Sequence, residues 1–349
     1  MIVEIAWKNI WRKKVRSTVI LVAIALGITA GIFNMGFYYG MIDQRIESAI
    51  NSEASHIQIH DTSYMTDPDI RHYISGAAPI RENTEALPEV AATSARTIVN
   101  SMALTAETGV GVQIMGIDPD AERQVTNIHS KMVEGSYFDE EVNHPILIGK
   151  ELSEKLDVGT GNRIILHLQT LDGTMTRGRF KVVGIYSISN AQYEERNVFV
   201  DRSDLQGIVG LPEGAAHEIA VLLKSNQAVD RITAGLSDSY PRLAVDPWDE
   251  LMPEVSLIEE SMDITMYFIM IIILFALCFG IINTMLMAVL ERVKELGMLK
   301  AVGMNKRRVF AMVMFETVLL TLTGGVLGLG MGYLVIGITG STGLDLSIY

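Results

Sequence analysis

Residues Glu291–Arg308 read ERVKELGMLKAVGMNKRR. The 27 residues before them, Ile264–Leu290, carry no charge, and Val309–Thr339 after them carries one, Glu316. About 20 apolar residues in helical form cross the roughly 30 Å core of a bilayer. Two runs of this length, joined by so short a polar segment, are predicted to be adjacent membrane helices. The segment between them holds six basic and two acidic side chains, so it is expected in water at one membrane face.

Working outward, a third long apolar run, without charge, lies at Ser17–Ile42. A signal peptide has an apolar region of only about 7–15 residues, so this run reads as a retained helix. Between it and Ile264, residues 43–263 hold 36 acidic and 17 basic side chains. Short Lys- and Arg-rich flanks stay in the cytoplasm. Five basic residues precede the first run (Lys8, Arg12, Lys13, Lys14, Arg16) against Glu4 alone. Both basic segments are therefore assigned to the cytoplasm, and the acidic middle to the outside. A domain with a net charge of −19 repels phosphate, which argues against nucleic-acid binding.

The expected organisation is residues 1–16 as a cytoplasmic interfacial helix, 17–42 as the first span and 43–263 as an extracytoplasmic domain. Residues 264–290 form the second span, 291–308 a cytoplasmic helix, 309–339 the third span and 340–349 an external loop. In the first of these, Trp7 and Trp11 stand at i and i+4 on an amphipathic pattern suited to the headgroup layer; a topogenic basic tail is the alternative. Gly27 and Gly31, and Gly324, Gly328 and Gly332, repeat at the four-residue spacing that lets membrane helices pack closely. Asn34 and Asn283 are polar side chains inside spans, and Asn34 is expected to hydrogen-bond within a bundle. Glu316 reads either as a functional ionisable group or as a residue near the cytoplasmic face bonded to a neighbour; no second acid or His accompanies it, which favours the latter.

In the middle domain, strands are predicted at Ser55–His60, Val110–Ile117, Pro145–Ile148, Arg163–Leu168, Phe180–Tyr186, Asn197–Val200, Glu218–Leu223 and Arg242–Val245. Helices are predicted at Lys150–Leu156, Ser203–Val209 and Gln227–Ser239, the last capped by Asn226. Thr62–Pro88 reads as an irregular excursion. Asp172-Gly173 is a two-residue hairpin signal. His56, Gln58 and His60 would share a strand face, expected to be solvated rather than metal-binding. The domain reads as α+β in two subdomains, inserted into a membrane helical bundle. Helix candidates at 43–53 and 253–263 would continue the spans beyond the bilayer.

Cys278 is the only cysteine and lies within the second run, so no disulfide or thiolate metal site is available. No GxxxxGK[ST], GxSxG or HExxH occurs. No catalytic residue, cofactor or metal is expected in this chain.

Arg292, Glu295, Leu296, Gly297, Lys300, Ala301 and Gly303 fall on an R-x-x-E-x-G-x-x-[KR]-A-x-G pattern. With Ala6-Trp7-Lys8-Asn9-Ile10 at the start and the order of spans, it resembles the FtsX/MacB/LolC-type permeases of ABC transporters. Ile148-Gly149, Leu152, Leu156, Gly161-Asn162 and Phe180–Ile185 are similar to the lipoprotein-releasing LolC/LolE branch, which usually has Asp where Asn162 stands. The resemblance implies a permease subunit without catalysis of its own in a bacterial inner membrane. It would work beside a cytoplasmic ATPase subunit and a second permease subunit, identical or not. Residues 291–303 would be the coupling helix, and ATPase closure would pass through the long helices to the outer domain, a motion called mechanotransmission. Lipoprotein release or export of an amphiphile is the favoured task; activation of a cell-wall hydrolase, or a sensor or scaffold without ATPase, are the alternatives. The family's fourth span is expected and absent before Tyr349.

Overall fold

The computed structural model describes residues 14–105, 108–138 and 142–342. Most of the expected interfacial helix at 1–16, and residues 343–349 of the expected external loop, lie outside them. The chain divides into two compact units, one from Arg45 to Ser256 and one from the sequence on either side of it.

The helices are α1 (Lys14–Ala49), α2 (Ala77–Glu85), α3 (Pro119–Val125), α4 (Lys150–Leu156), α5 (Ala191–Arg196) and α6 (Arg202–Val209), followed by α7 (Val229–Ser239), α8 (Trp248–Leu251), α9 (Pro253–Glu291), α10 (Val293–Ala301) and α11 (Lys306–Thr342). The strands are β1 (Ile57–Asp61), β2 (Val90–Leu104), β3 (Gly109–Ile117), β4 (Met132–Gly135), β5 (Pro145–Gly149), β6 (Arg163–Gln169), β7 (Met175–Tyr186), β8 (Asn197–Asp201), β9 (Glu218–Leu223) and β10 (Leu243–Pro247).

In the outer unit, β2 pairs with β3, β3 with β8, β8 with β5, β5 with β7, β7 with β6, and β6 back with β2. These pairings close a ring of six strands. Period-2 alternation explains why: Ile164, Leu166 and Leu168 of β6 are buried while Arg163, Ile165 and Gln169 are exposed. Ile114, Ile146, Phe180, Val182 and Val200 join them in one core, with Leu152 and Leu156 of α4 and Leu205 and Val209 of α6. The earlier half of β2 leaves the ring and pairs with β9, and β1 lies between β9 and β10. Helix α7 connects β9 to β10.

Several expectations are corrected here. Thr62–Pro88 contains α2. Residues 90–104 form the longest strand in the unit, where none was predicted. Ser225, not Asn226, caps the turn before α7, its Oγ accepting from Gln227 N–H; the Asn226 side chain accepts instead from Trp248 Nε1 at 3.0 Å. The face bearing His56, Gln58 and His60 is buried, not solvated, because Ala54 and Tyr64 pack on it. His56 Nδ1 accepts from Leu223 N–H, Gln58 Nε2 donates to Ala54 O, and His60 pairs with Gln58 Oε1.

A buried ionic triad locks α3 to the sheet. Arg96 on β2 donates through Nε and Nη2 to Glu122 on α3, at 3.1 and 2.6 Å, and through Nη1 to Glu218 on β9 at 2.5 Å. All three side chains are buried, and a fork of guanidinium donors suits two carboxylates.

Among the described residues, three helices are long and apolar enough to cross a bilayer, spanning Ser17–Ala54, Pro253–Glu291 and Lys306–Gly340. Helices α1, α9 and α11 meet around Ile20, Ile24, Met285 and Leu320. The Tyr39 hydroxyl on α1 donates to Asp263 Oδ1 on α9 at 2.9 Å.

Candidate functional site

Helix α9 ends at Glu291, and Arg292, with φ −106° and ψ 16°, turns the backbone into α10. Helix α10 stops because Gly303 takes φ +97°, a left-handed conformation that side chains with Cβ resist. Met304 N–H then bonds Leu299 O, and Gly303 N–H bonds Lys300 O; this is the Schellman pattern that satisfies the last carbonyls of a helix. Asn305 Oδ1 accepts from Arg307 N–H and opens α11. Two tight stops thus set off nine residues as an independent helix.

Of the residues singled out in the loop, the structure buries Arg292 and brings it to Glu316, one of its membrane-depth counterparts. Arg292 Nη1 lies 3.3 Å from Glu316 Oε2, with the two side chains 8% and 5% exposed. This pair ties the start of α10 to the body of α11. The remaining guanidinium atoms Nε and Nη2 are buried without a hydrogen-bond acceptor among the described residues. The pairing escapes sequence reading, which weighed Glu316 against acids and histidines and not against the first base of the loop.

Glu295 and Lys300 are exposed on α10, Leu296 is half-buried, and Gly297, Ala301 and Gly303 are exposed. Val293, Met298 and Val302 are exposed as well. Helical spacing gathers Val293, Gly297, Met298, Ala301 and Val302 into one uncovered, mainly apolar face. A Cβ on Gly297 would meet nothing within 4 Å, so no packing among the described residues requires that glycine.

Gly324, Gly328 and Gly332 lie along the strip of α11 that meets Ile24, Ile28 and Ile32 of α1. At Gly328 the backbones come closest: a Cβ there would sit 2.8 Å from Ala25 O, and Thr29 Oγ1 donates to Gly328 O at 3.1 Å. Asn34 is half-buried and Asn283 exposed; neither side chain has a hydrogen bond among the described residues. Between α1 and α9 lies an apolar cavity of about 370 Å³, lined by Ile20, Ala23, Gly27, Ile273, Leu277 and Gly280 among others.

Comparison with known proteins adds to this geometry. Residues 17–238 match the MacB-like periplasmic core domain, and residues 267–349 the FtsX-like permease C-terminal region. An uncharacterized ABC transporter permease of Bacillus subtilis (strain 168), YvrN, is 25% identical over 374 residues, covering 95% of this chain and 86% of that one. The lipoprotein-releasing system transmembrane protein LolC of Neisseria meningitidis serogroup B is 26% identical over 331 residues, covering 90% and 76%. Among solved structures, the periplasmic region of MacB from Actinobacillus actinomycetemcomitans aligns with a TM-score of 0.41 and 11% identity, over 62% of this chain and 95% of that one. With three membrane-length helices, an inserted domain matching the MacB core and a matching C-terminal region, the chain belongs to the FtsX-like and MacB-like family of ABC transporter permeases.

Proposed function

We propose that this permease couples ATP hydrolysis by a separate cytoplasmic ATPase to movement of its extracytoplasmic domain in a bacterial inner membrane. The observation that carries the reading is the Arg292–Glu316 pair. It fastens α10 to α11 at one point, while the face around Gly297 stays bare. A helix held at its base and open on one side can receive a partner surface and pass its displacement to the bundle. Glu295, Gly297, Lys300 and Ala301 are the proposed contacts with the ATPase, with Leu296 and Gly303 setting the helix on its base.

Helices α1 and α9 are the proposed levers: α1 is continuous from Lys14 to Ala49 and α9 from Pro253 to Glu291. The six-stranded ring and the sheet half around β1 are the proposed two subdomains on which they act. A second permease subunit completes the assembly. Asn283 supports it, since an amide left toward lipid is costly and a polar group on a facing helix would satisfy it. The apolar cavity between α1 and α9 supports an amphiphilic substrate such as a lipoprotein.

The test is co-purification and ATPase stimulation with the neighbouring-gene ATPase. Glu295→Lys and Gly297→Leu are expected to lower both binding and stimulated hydrolysis at least tenfold, about 1.4 kcal/mol. Intact binding and stimulation in both variants would overturn the coupling role.

A further inference from the structure

The outer wall of the six-stranded ring is clothed unevenly. Over β3, β5 and β8 it is covered: Tyr137, Phe138 and Tyr193 pack on Met115, Leu147 and Phe199. Over the ends of β2, β6 and β7 Met102, Arg163, Ile165, Arg177 and Arg179 are exposed, and Leu104, His167 and Lys181 are half-buried. The register sets them in rows. Ile165 stands between Leu104 on β2 and Arg179 on β7, and Arg163 stands opposite Lys181. Met102 and Arg177 face outward one row further along, on either side of His167. An apolar strip of Met102, Leu104 and Ile165 is therefore flanked by four cations.

These cations are unusual for their domain, which carries net charge −19. Among the described residues none of the four has an ion-pair partner. The nearest carboxylate in sequence, Asp172, sits in the β6–β7 turn and accepts from the hydroxyls of Thr170 and Thr174. At physiological salt, charges beyond about 8 Å are largely screened, so this wall presents itself as locally positive.

Size and order decide what it fits. Strands about 4.8 Å apart, with alternate residues about 6.7 Å apart, give the bare patch roughly 300 Å². A stable protein partner covers about 800 Å² on each side. Among the described residues no hydrogen bond fixes the guanidinium groups in place, as capture of a single phosphate would require. A loose grid of cations around a few exposed aliphatic side chains instead matches a surface of many mobile anionic headgroups. Membrane spans in the same chain keep a bilayer within reach of the domain.

We propose that this wall, formed by β2, β6 and β7, docks onto the anionic headgroups of a lipid bilayer. The experiment uses the full chain in phosphatidylcholine nanodiscs, mixed with vesicles of phosphatidylcholine alone or with phosphatidylglycerol, and reads co-flotation. Association with the phosphatidylglycerol vesicles only, weakening as salt is raised, is the expected result. Arg177→Glu/Arg179→Glu should weaken it at least about tenfold, and Arg177→Gln/Arg179→Gln by less. Arg71→Glu/Arg242→Glu makes the same change in net charge at exposed positions off the wall and should leave it unchanged. Unaltered circular dichroism shows that the variants are folded. Equal binding to both vesicle types overturns the proposal. So does an equal loss in the Arg71/Arg242 variant, which would make net charge the cause. Full competition by inorganic phosphate also overturns it, in favour of a free-anion site.

Discussion

Arg292 and Glu316 show what a single buried pair commits a membrane protein to. Removing the Glu316 carboxylate leaves the Arg292 charge buried and uncompensated, which costs about 3–5 kcal/mol. Glu316→Gln and Arg292→Met are each expected to lower the midpoint of thermal unfolding in detergent, and the double variant by less than the sum of the two. A strictly additive pair would show that the contact carries no coupling. His56 makes a prediction about pH. Burial pushes its imidazole down to about 4, and its Nδ1 must stay unprotonated to accept from Leu223 N–H. The unfolded chain, titrating near 6.5, then binds more protons than the native state between these two values. Stability falls as pH drops through this window, by at most about 3 kcal/mol. Chemical denaturation at pH 7 and pH 4.5 should show the loss, and His56→Gln should reduce it. Neither residue's partner is legible in sequence. Glu316 lies 24 positions from its partner, so the pairing depends on how two helices are rotated. His56 looked solvated because alternation alone does not reveal what packs over each face of β1.

At the scale of elements, the helices of the membrane unit were largely legible, because a bilayer demands long charge-free runs. The β6–β7 hairpin was legible too: Asp172-Gly173 supplies the turn, with Gly173 at φ +86°. Strand β2 was not. Its sequence VAATSARTIVNSMAL mixes small and polar residues without clean alternation, since residues 92–99 are buried on both faces. The charged Arg96 in its middle reads as a surface residue until Glu122 and Glu218 are brought to it. Close packing of α1 on α11 is open to a direct test. Gly328→Ala would place a methyl group 2.8 Å from Ala25 O and 2.9 Å from Ile28 Cβ, and overpacking of this kind costs about 1–3 kcal/mol. A matching drop in unfolding temperature is expected, with Gly330→Ala, which meets nothing within 4 Å, as the control. Asn283→Leu is expected to weaken self-association in detergent, measured by cross-linking; an unchanged dimer fraction would remove Asn283 from the interface.

For the whole molecule, the pairing of β1 with β10 joins the first strand of the outer domain to its last, Asp61 opposite Leu243. The ring, by contrast, draws its strands from Val90 to Asp201. Chains are made and exported from one end at about 5–20 residues per second. The ring's six strands all emerge before Leu243, so it can close while β1 still waits for its neighbours. Strand β1 pairs with β9 and β10 only, and both come after Asp201. A chain truncated after Val209 is therefore expected to yield a protease-resistant core from the ring and to leave Ile57–Asp61 open to cleavage. Completion of the domain is in this sense a timed event: the strand nearest the first span is the last to be locked, seconds after the ring, when the polypeptide that will become the second span is next to arrive.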